Sequence, residues 1–350
     1  MATYLYTTEN RALIIYRQDL MRKLYFLVPG TRGKFGGGGL WAELNTCMLT
    51  QQICAAEVVT YRQREEEHLF FDDLLLESTP QSSIFVIGWG FDVPKIVARL
   101  RGQNIIYHAH SSEYGFILPS DIPIIAVSRH TMGYWGAKAA NGLIYYLPNQ
   151  IGDEFRDLGR SRDIDILVQT RKSSEYLLEQ LIPALQSSYR IEIVDRYVPD
   201  LAGLFNRSKI YLYDSVEYWA ASGVTEGFGL PPLEALACGC AVFSSVNHGL
   251  ADYLDPGFNC HKIAGYCLEY DLQRIAGVLQ DPPLNSLNWL EEYRSERLIA
   301  RLKVILTEIN QFFDWRSPDS GNIKSLNNRR IQQLKFKQAI GKLQRKLKPK

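Results

Sequence analysis

The stretch Thr225-Glu226-Gly227-Phe228-Gly229-Leu230-Pro231-Pro232-Leu233-Glu234-Ala235-Leu236-Ala237 sets two carboxylates eight positions apart around a glycine-flanked aromatic and a double proline. Gly227 and Gly229 let the backbone come close to a ligand, because no Cβ intervenes and φ is free to turn positive. Pro231 disfavours helical geometry at Leu230, and Pro232 does the same to Pro231. The spacing therefore predicts a helix that begins at Pro232, where a missing N–H costs nothing, with Glu234 in its first turn. The free N–H groups and positive dipole end of such a helix form an anion site, for which phosphate is the natural guest. Glu226 in the loop and Glu234 on the helix are acceptors suited to sugar or ribose hydroxyls. Taken singly, either glutamate reads as well as a solvated or dipole-complementing residue; a bland helix start does not ask for the whole combination.

Outward from this stretch, short apolar runs alternate with helical stretches through both halves of the chain. Strands are expected at Leu24 to Val28, Ile84 to Ile87, Asn104 to His108, Ile122 to Val127 and Leu143 to Leu147. Helices are expected from about Leu40 and from Pro94 to Leu100. After a linker around Pro148 to Asp165, a second series has strands near Ile164 to Val168, Arg190 to Val194, Ile210 to Tyr213 and Ala241 to Ser244. A helical pattern from Leu287 to Phe313 follows. Alternation of this kind argues for two α/β domains with parallel sheets, whose ligands bind in the cleft at the strands' carboxyl ends. The expected division is 1–150 for the first domain, 151–286 for the second, 287–319 for a helix and 320–350 for a basic tail.

With 350 residues, 46% of them hydrophobic, the chain is long enough for two cores. No apolar run approaches the ~20 residues of a membrane span, and the start has neither a basic n-region nor an apolar h-region, so a cytoplasmic protein is expected. The six cysteines read as reduced core thiols, and Cys238-Gly-Cys240 lacks the partners of a zinc site. The net charge of +1 hides an asymmetry: Ser320 to Lys350 holds ten Lys or Arg and no acid, leaving 29 basic against 38 acidic residues elsewhere, a net of −9. Phe336, Ile340, Leu343 and Leu347 would form an apolar stripe on a basic helix, fit for an anionic membrane surface or a protein partner through 324–350. Packing on the chain's own acidic body, or a solvated tail, reads equally well. No feature asks for nucleic acid.

Further chemistry sits at the expected strand ends. The loop Val28 to Leu40 is not a phosphate-binding Walker loop, since Phe35 follows Gly33-Lys34, and Trp41 stands where a dinucleotide fingerprint needs its third glycine. It still brings glycine backbone toward the cleft, unless it is only a surface loop. His108 and His110 share a strand face and could both look into the cleft, although a histidine at a strand end is more often structural. They are not read as metal ligands, because no carboxylate or cysteine is fixed nearby in sequence. Arg171 and Lys172 supply adjacent cations for a diphosphate. Asp163-Ile-Asp165 spells D-x-D but precedes a strand where a metal site would follow one.

The run Glu226 to Val242 resembles the E-x7-E donor-site signature of retaining GT-B glycosyltransferases, the family 4-like or group 1 enzymes. The resemblance implies a GT-B fold, two facing Rossmann-like domains, with a C-terminal helix that crosses back to brace the first. It implies that Glu226 faces the transferred sugar and Glu234 holds the ribose. Gly227, Phe228, Gly229 and Leu230 would approach the diphosphate, with Gly38 and Gly39 across the cleft. His110 would contact the donor sugar and Arg171 and Lys172 would hold the leaving group, although Thr170 replaces the family's glycine and the loop is contracted. The loop Asp195 to Leu201, with Val198 near its middle, would wrap the base.

The implied activity is transfer of a sugar from a nucleotide diphosphate sugar to a glycan, lipid or small-molecule hydroxyl, with no metal and no cofactor. Polysaccharide or glycolipid biosynthesis is the implied setting, in the cytoplasm or peripheral at the inner membrane face. A nucleotide-sugar epimerase on the same fold and a non-catalytic GT-B scaffold subunit are the rivals, the contracted Arg171-Lys172 loop favouring the latter.

Overall fold

The computed structural model describes residues 21–76, 83–139, 142–263, 265–281, 288–315 and 327–347, apart from the side chains of residues 343, 346 and 347. In the first domain, β1 (Leu24–Val28) leads through a glycine-rich loop to α1 (Gly38–Gln51), then β2 (Ala56–Thr60), β3 (Leu69–Phe70) and α2 (Phe71–Leu76). These are followed by β4 (Ile84–Ile87), α3 (Val93–Arg99), β5 (Asn104–Ala109), β6 (Ile124–Ala126), α4 (Arg129–Lys138) and β7 (Ile144–Tyr146). The strands form one seven-stranded sheet in the order β3-β2-β1-β4-β5-β6-β7, every neighbouring pair parallel. Every residue of β1 and β4 is buried, as sheets covered on both faces require.

The second domain contains β8 (Ile164–Gln169), a π-helical turn at Leu177–Leu181 running into α5 (Ile182–Gln186), β9 (Ile191–Val194), α6 (Leu201–Arg207) and β10 (Ser208–Tyr213). It continues with α7 (Val216–Ser222), α8 (Leu230–Ala237), β11 (Ala241–Ser244), β12 (His261–Lys262) and α9 (Leu268–Gln280). Its five parallel strands run β12-β11-β10-β8-β9. Each sheet reverses strand order once, between β1 and β4 in the first and between β8 and β10 in the second. Ligands of open α/β sheets bind outside the carboxyl ends at such points.

The long helix α10 (Ser295–Trp315) braces the first domain, as the resemblance implies. Leu298, Leu302, Ile305, Leu306, Ile309 and Phe313 fall on one face and join the core under β1 and β4 with Leu24, Phe26, Ile84 and Val86. Arg22 fastens the other end, its guanidinium reaching the Asn310 carbonyl at 3.1 Å and Asp314 at 2.6 Å. Where the chain returns, Arg294 donates to the carbonyls of Gly152 and Phe155, both at 2.7 Å, and pins the interdomain linker.

A last helix, α11 (Asn328–Leu347), carries the basic tail; its described residues are exposed or half-buried, with none buried. Phe336 and Ile340 of the expected stripe stand 68% and 41% exposed. The side chains of Leu343 and Leu347 lie outside the described residues. Among the described residues, no helix is long and apolar enough to cross a membrane.

Candidate functional site

The motif helix α8 begins at Leu230, two residues earlier than the proline spacing predicts. Gly229 makes the turn with a φ of 79°, in the left-handed region that glycine enters without strain. Pro231 and Pro232 then occupy the first turn, whose N–H groups have no partners within the helix in any case. Glu234 consequently falls beyond the first turn, which contains no acidic residue. The ring of Phe228 is buried and packs 5.4 Å from Tyr253 and 5.8 Å from Tyr293, so the side chain belongs to the core and its expected donor contact falls to the backbone.

Glu226 lies in the loop before α8, as expected, and is buried. Its Oε2 accepts from Tyr213 Oη at 2.5 Å, Trp219 Nε1 at 2.7 Å and Ser215 Oγ at 3.3 Å, and Lys172 Nζ lies 3.7 Å from Oε1. Three donors and one cation hold the carboxylate in a single orientation. Lys172 also sits 4.3 Å from the Trp219 ring, and burial lowers its pKa against the pull of Glu226. Its φ of 109° is a conformation that non-glycine residues hold only under constraint, and such strain gathers at functional sites. Arg171 stands exposed beside it. The two cations thus differ in their surroundings: Lys172 is fixed at Glu226, and Arg171 is exposed.

Glu234 is half-buried on α8, and burial, with the nearby Glu154 adding to it, pushes its carboxyl up to about 8. Val198, in the loop after β9, packs half-buried against the same core as Phe228. Asp163 and Asp165 are occupied by Arg190 and Arg207, and by Lys209, at 2.7 to 3.0 Å. Of the six cysteines, all free, Cys267 is exposed and Cys54 half-buried, so the description as core thiols holds for the other four.

On the first domain's side, Gly38 and Gly39 open α1, and a Cβ at either would meet no atom within 4 Å, so their backbone faces open space. Five residues into this helix, Glu43 is its one charged side chain, and it is buried. Its Oε2 lies 2.6 Å from both His108 Nδ1 and His110 Nε2, whose rings sit 4.3 Å apart at the end of β5. Burial works to raise the Glu43 carboxyl, but the two imidazoles outweigh it and hold it at about 2. Burial and His108 lower His110 against the pull of Glu43. The two histidines therefore do have a carboxylate partner, contrary to the expectation from their sequence neighbours. Among the described residues, these three form the one cluster compact enough to embrace a metal ion. The contacts have hydrogen-bond lengths, and with Glu43 ionised and only accepting, each facing nitrogen carries the hydrogen in the ion-free arrangement.

Glu43 was missed because nothing adjacent in sequence announces it. A single charge in an otherwise uncharged helix was the available signal. Gly88, at the end of β4, gives it room: a Cβ there would stand 2.9 Å from the Glu43 carboxyl carbon. Trp219 and Tyr213 went unnoticed for the same reason.

The two halves meet directly. Ser111 Oγ donates to the Thr225 carbonyl at 2.6 Å, and the Ser112 and Thr225 hydroxyls are 2.8 Å apart. Arg129 N donates to Asp252 at 2.6 Å, and the His130 and His248 rings lie 5.0 Å apart. The Glu226–Gly227 loop is thereby set against the strand end that carries His110.

Residues 166–285 match a family profile described as Glycosyl transferases group 1, so the second domain is a glycosyltransferase domain. No curated protein matches the chain by sequence. Among solved structures, the sucrose-phosphate synthase (tll1590) from Thermosynechococcus elongatus is similar at a TM-score of 0.57 and 12% identity, over 84% of this chain and 98% of that one. A glycosyltransferase from Rickettsia africae ESF-5 is similar at 0.57 and 12%, over 85% and 100%. Anabaena Alr3699/HepE, in complex with UDP and glucose, is similar at 0.52 and 14%, over 83% and 97%. These likenesses bear out the two-domain GT-B fold.

Proposed function

We propose that this glycosyltransferase is metal-independent and retaining, moving a sugar from a nucleotide diphosphate sugar to an acceptor hydroxyl. The observation that carries the reading is the pairing of Glu226 with Lys172 directly before the glycine turn that opens α8, with the strand end of His110 packed against that turn. Lys172, Arg171 and the N–H groups of the Gly227 to Leu230 turn, with the positive dipole end of α8 behind them, supply positive charge where a leaving diphosphate gathers negative charge. Glu226, held rigid by Tyr213 and Trp219, faces the sugar and keeps Lys172 in place. Glu234 takes the ribose hydroxyls. In the reaction the bond from the anomeric carbon to the phosphate oxygen breaks and that from the acceptor oxygen forms on the same face. The acceptor's proton passes to the departing phosphate oxygen. Because Anabaena HepE holds UDP-glucose, uridine diphosphate sugars are the first donors to try.

The test is Glu226→Ala, assayed for transfer and for nucleotide binding separately. Transfer falls by about 10²–10³-fold or more, the scale of one lost electrostatic group, while nucleotide still binds. Parental turnover in this variant would overturn the reading.

The helix α11 extends the proposal to a surface. Seven Lys or Arg and no acid within Asn328–Leu347, with Phe336 and Ile340 exposed, complement an anionic lipid headgroup layer. Acceptors embedded in that layer would then be presented to the cleft.

A further inference from the structure

Glu43 does more than fill a buried position. Its carboxylate is removed from water with one oxygen shared by two imidazole nitrogens, while Oε1 has no hydrogen-bond partner. Gly88 leaves the space that the carboxylate occupies. Because the ionised group only accepts, His110 Nε2 must carry a hydrogen. In neutral His110 the proton is then absent from Nδ1, the ring nitrogen with no described hydrogen bond. His110 keeps 12% of its side chain exposed, beside the Gly227 loop, whereas His108 is buried.

We propose that Glu43 is a positioning residue that fixes His110 as its Nε2–H tautomer and so presents Nδ1 as a hydrogen-bond acceptor to a hydroxyl of the transferred sugar. This rests on the reading of the cleft as a sugar-transfer site. His108 serves as the second brace: by donating to the same oxygen it prevents the carboxylate from rotating away. The arrangement follows the general rule that a functional imidazole is oriented by what its other nitrogen touches.

The experiment compares Glu43→Met, which keeps the volume and removes the acceptor, with Glu43→Gln, which keeps a neutral acceptor. Imidazole ¹⁵N–¹H correlation spectra report the tautomer of His110 without any substrate. Steady-state kinetics and the Kd of the nucleotide diphosphate are measured alongside. In the parent, His110 is the Nε2–H form. In Glu43→Met that form is no longer dominant and kcat falls about 10–100-fold, the scale known for removing the partner that orients a metal-bound imidazole, with nucleotide Kd unchanged. Glu43→Gln recovers most of both signals. Gly88→Ala, which drives a Cβ into the carboxylate while leaving Glu43 in the chain, reproduces the Met variant and guards against a simple folding defect.

Parental kcat in Glu43→Met overturns the proposal. So does a lost kcat with His110 still in the Nε2–H form, because Glu43 would then be acting on something else. A parent that transfers no sugar from any donor overturns the functional reading alone; the tautomer in parent and variant still decides whether Glu43 sets it.

Discussion

The main-chain carbonyl of His110 occupies the space in which Gly227 would carry a side chain: a Cβ there would stand 1.5 Å from that oxygen. The neighbour is backbone, which cannot rotate aside. Gly227→Ala is therefore expected to push the Glu226 loop away from the β5 end, destabilising the fold by about 1–3 kcal/mol. A displacement near 1 Å at a reacting centre is enough to cost about 10²-fold in turnover. Thermal melts and turnover measured together check both halves of this expectation.

Glu234 gives a pH dependence whose sign is fixed by its environment. Its folded-state carboxyl titrates at about 8 against an ordinary 4.5, because burial and Glu154 disfavour the charge. The folded state thus holds a proton that the unfolded chain releases near 4.5. Stability contributed by this group is full below 4.5 and is lost as pH rises to about 8. Glu234→Gln removes the loss, so parent and variant differ little in acid and the variant is more stable above pH 8 by roughly 2 kcal/mol after solvent screening. Denaturant melts across the window test it. If the ribose needs the acceptor-only form, nucleotide binding below about pH 8 also releases a proton, which calorimetry in buffers of different ionisation enthalpy detects.

How much of this was legible depended on whether a signal was local. The strands β1, β4 and β11 lie where uninterrupted apolar runs put them, because strands covered on both faces have no polar side to obscure the run. The strands β2, β3 and β12 did not announce themselves: Glu57 interrupts the first, and the others are two residues long. The start of α8 was misjudged because the rule for residues before proline ignores what Gly229 can do one place earlier. Glu43 was out of reach for a different reason. It stands 65 and 67 positions from its histidines, and only the crossover that sets β4 and β5 beside β1 brings them together.

Phe228 separates packing from recognition. As a buried ring against Tyr253 and Tyr293, its truncation to alanine should cost about 3–5 kcal/mol, the range for losing a core aromatic. Phe228→Leu should fold with a smaller loss, and its nucleotide affinity should match the parent's, since no face of the ring is offered to a ligand. A Leu variant that folds like the parent but binds nucleotide tenfold more weakly would show that the ring itself, and not only the backbone, serves the donor.

The basic helix yields a prediction that does not depend on the chemistry of the cleft. At 1.5 Å per residue α11 is about 30 Å long, enough to lay several cationic side chains on one surface. Each Lys or Arg near an anionic headgroup layer is worth about 1 kcal/mol at most, and the attraction decays within a Debye length of roughly 8 Å at physiological salt. The rest of the chain, at a net of −9, is repelled by the same surface, so binding must be carried by the tail. The full chain is expected to sediment with vesicles of phosphatidylcholine mixed with phosphatidylglycerol, to stay behind with phosphatidylcholine alone, and to be released by added salt. Reversing Lys335, Lys337 and Lys342 to glutamate should abolish sedimentation, and Phe336→Asp should weaken it, with transfer to a water-soluble acceptor unchanged in both. Equal binding to neutral vesicles, or a charge-reversed variant that still sediments, would place the attachment elsewhere in the chain.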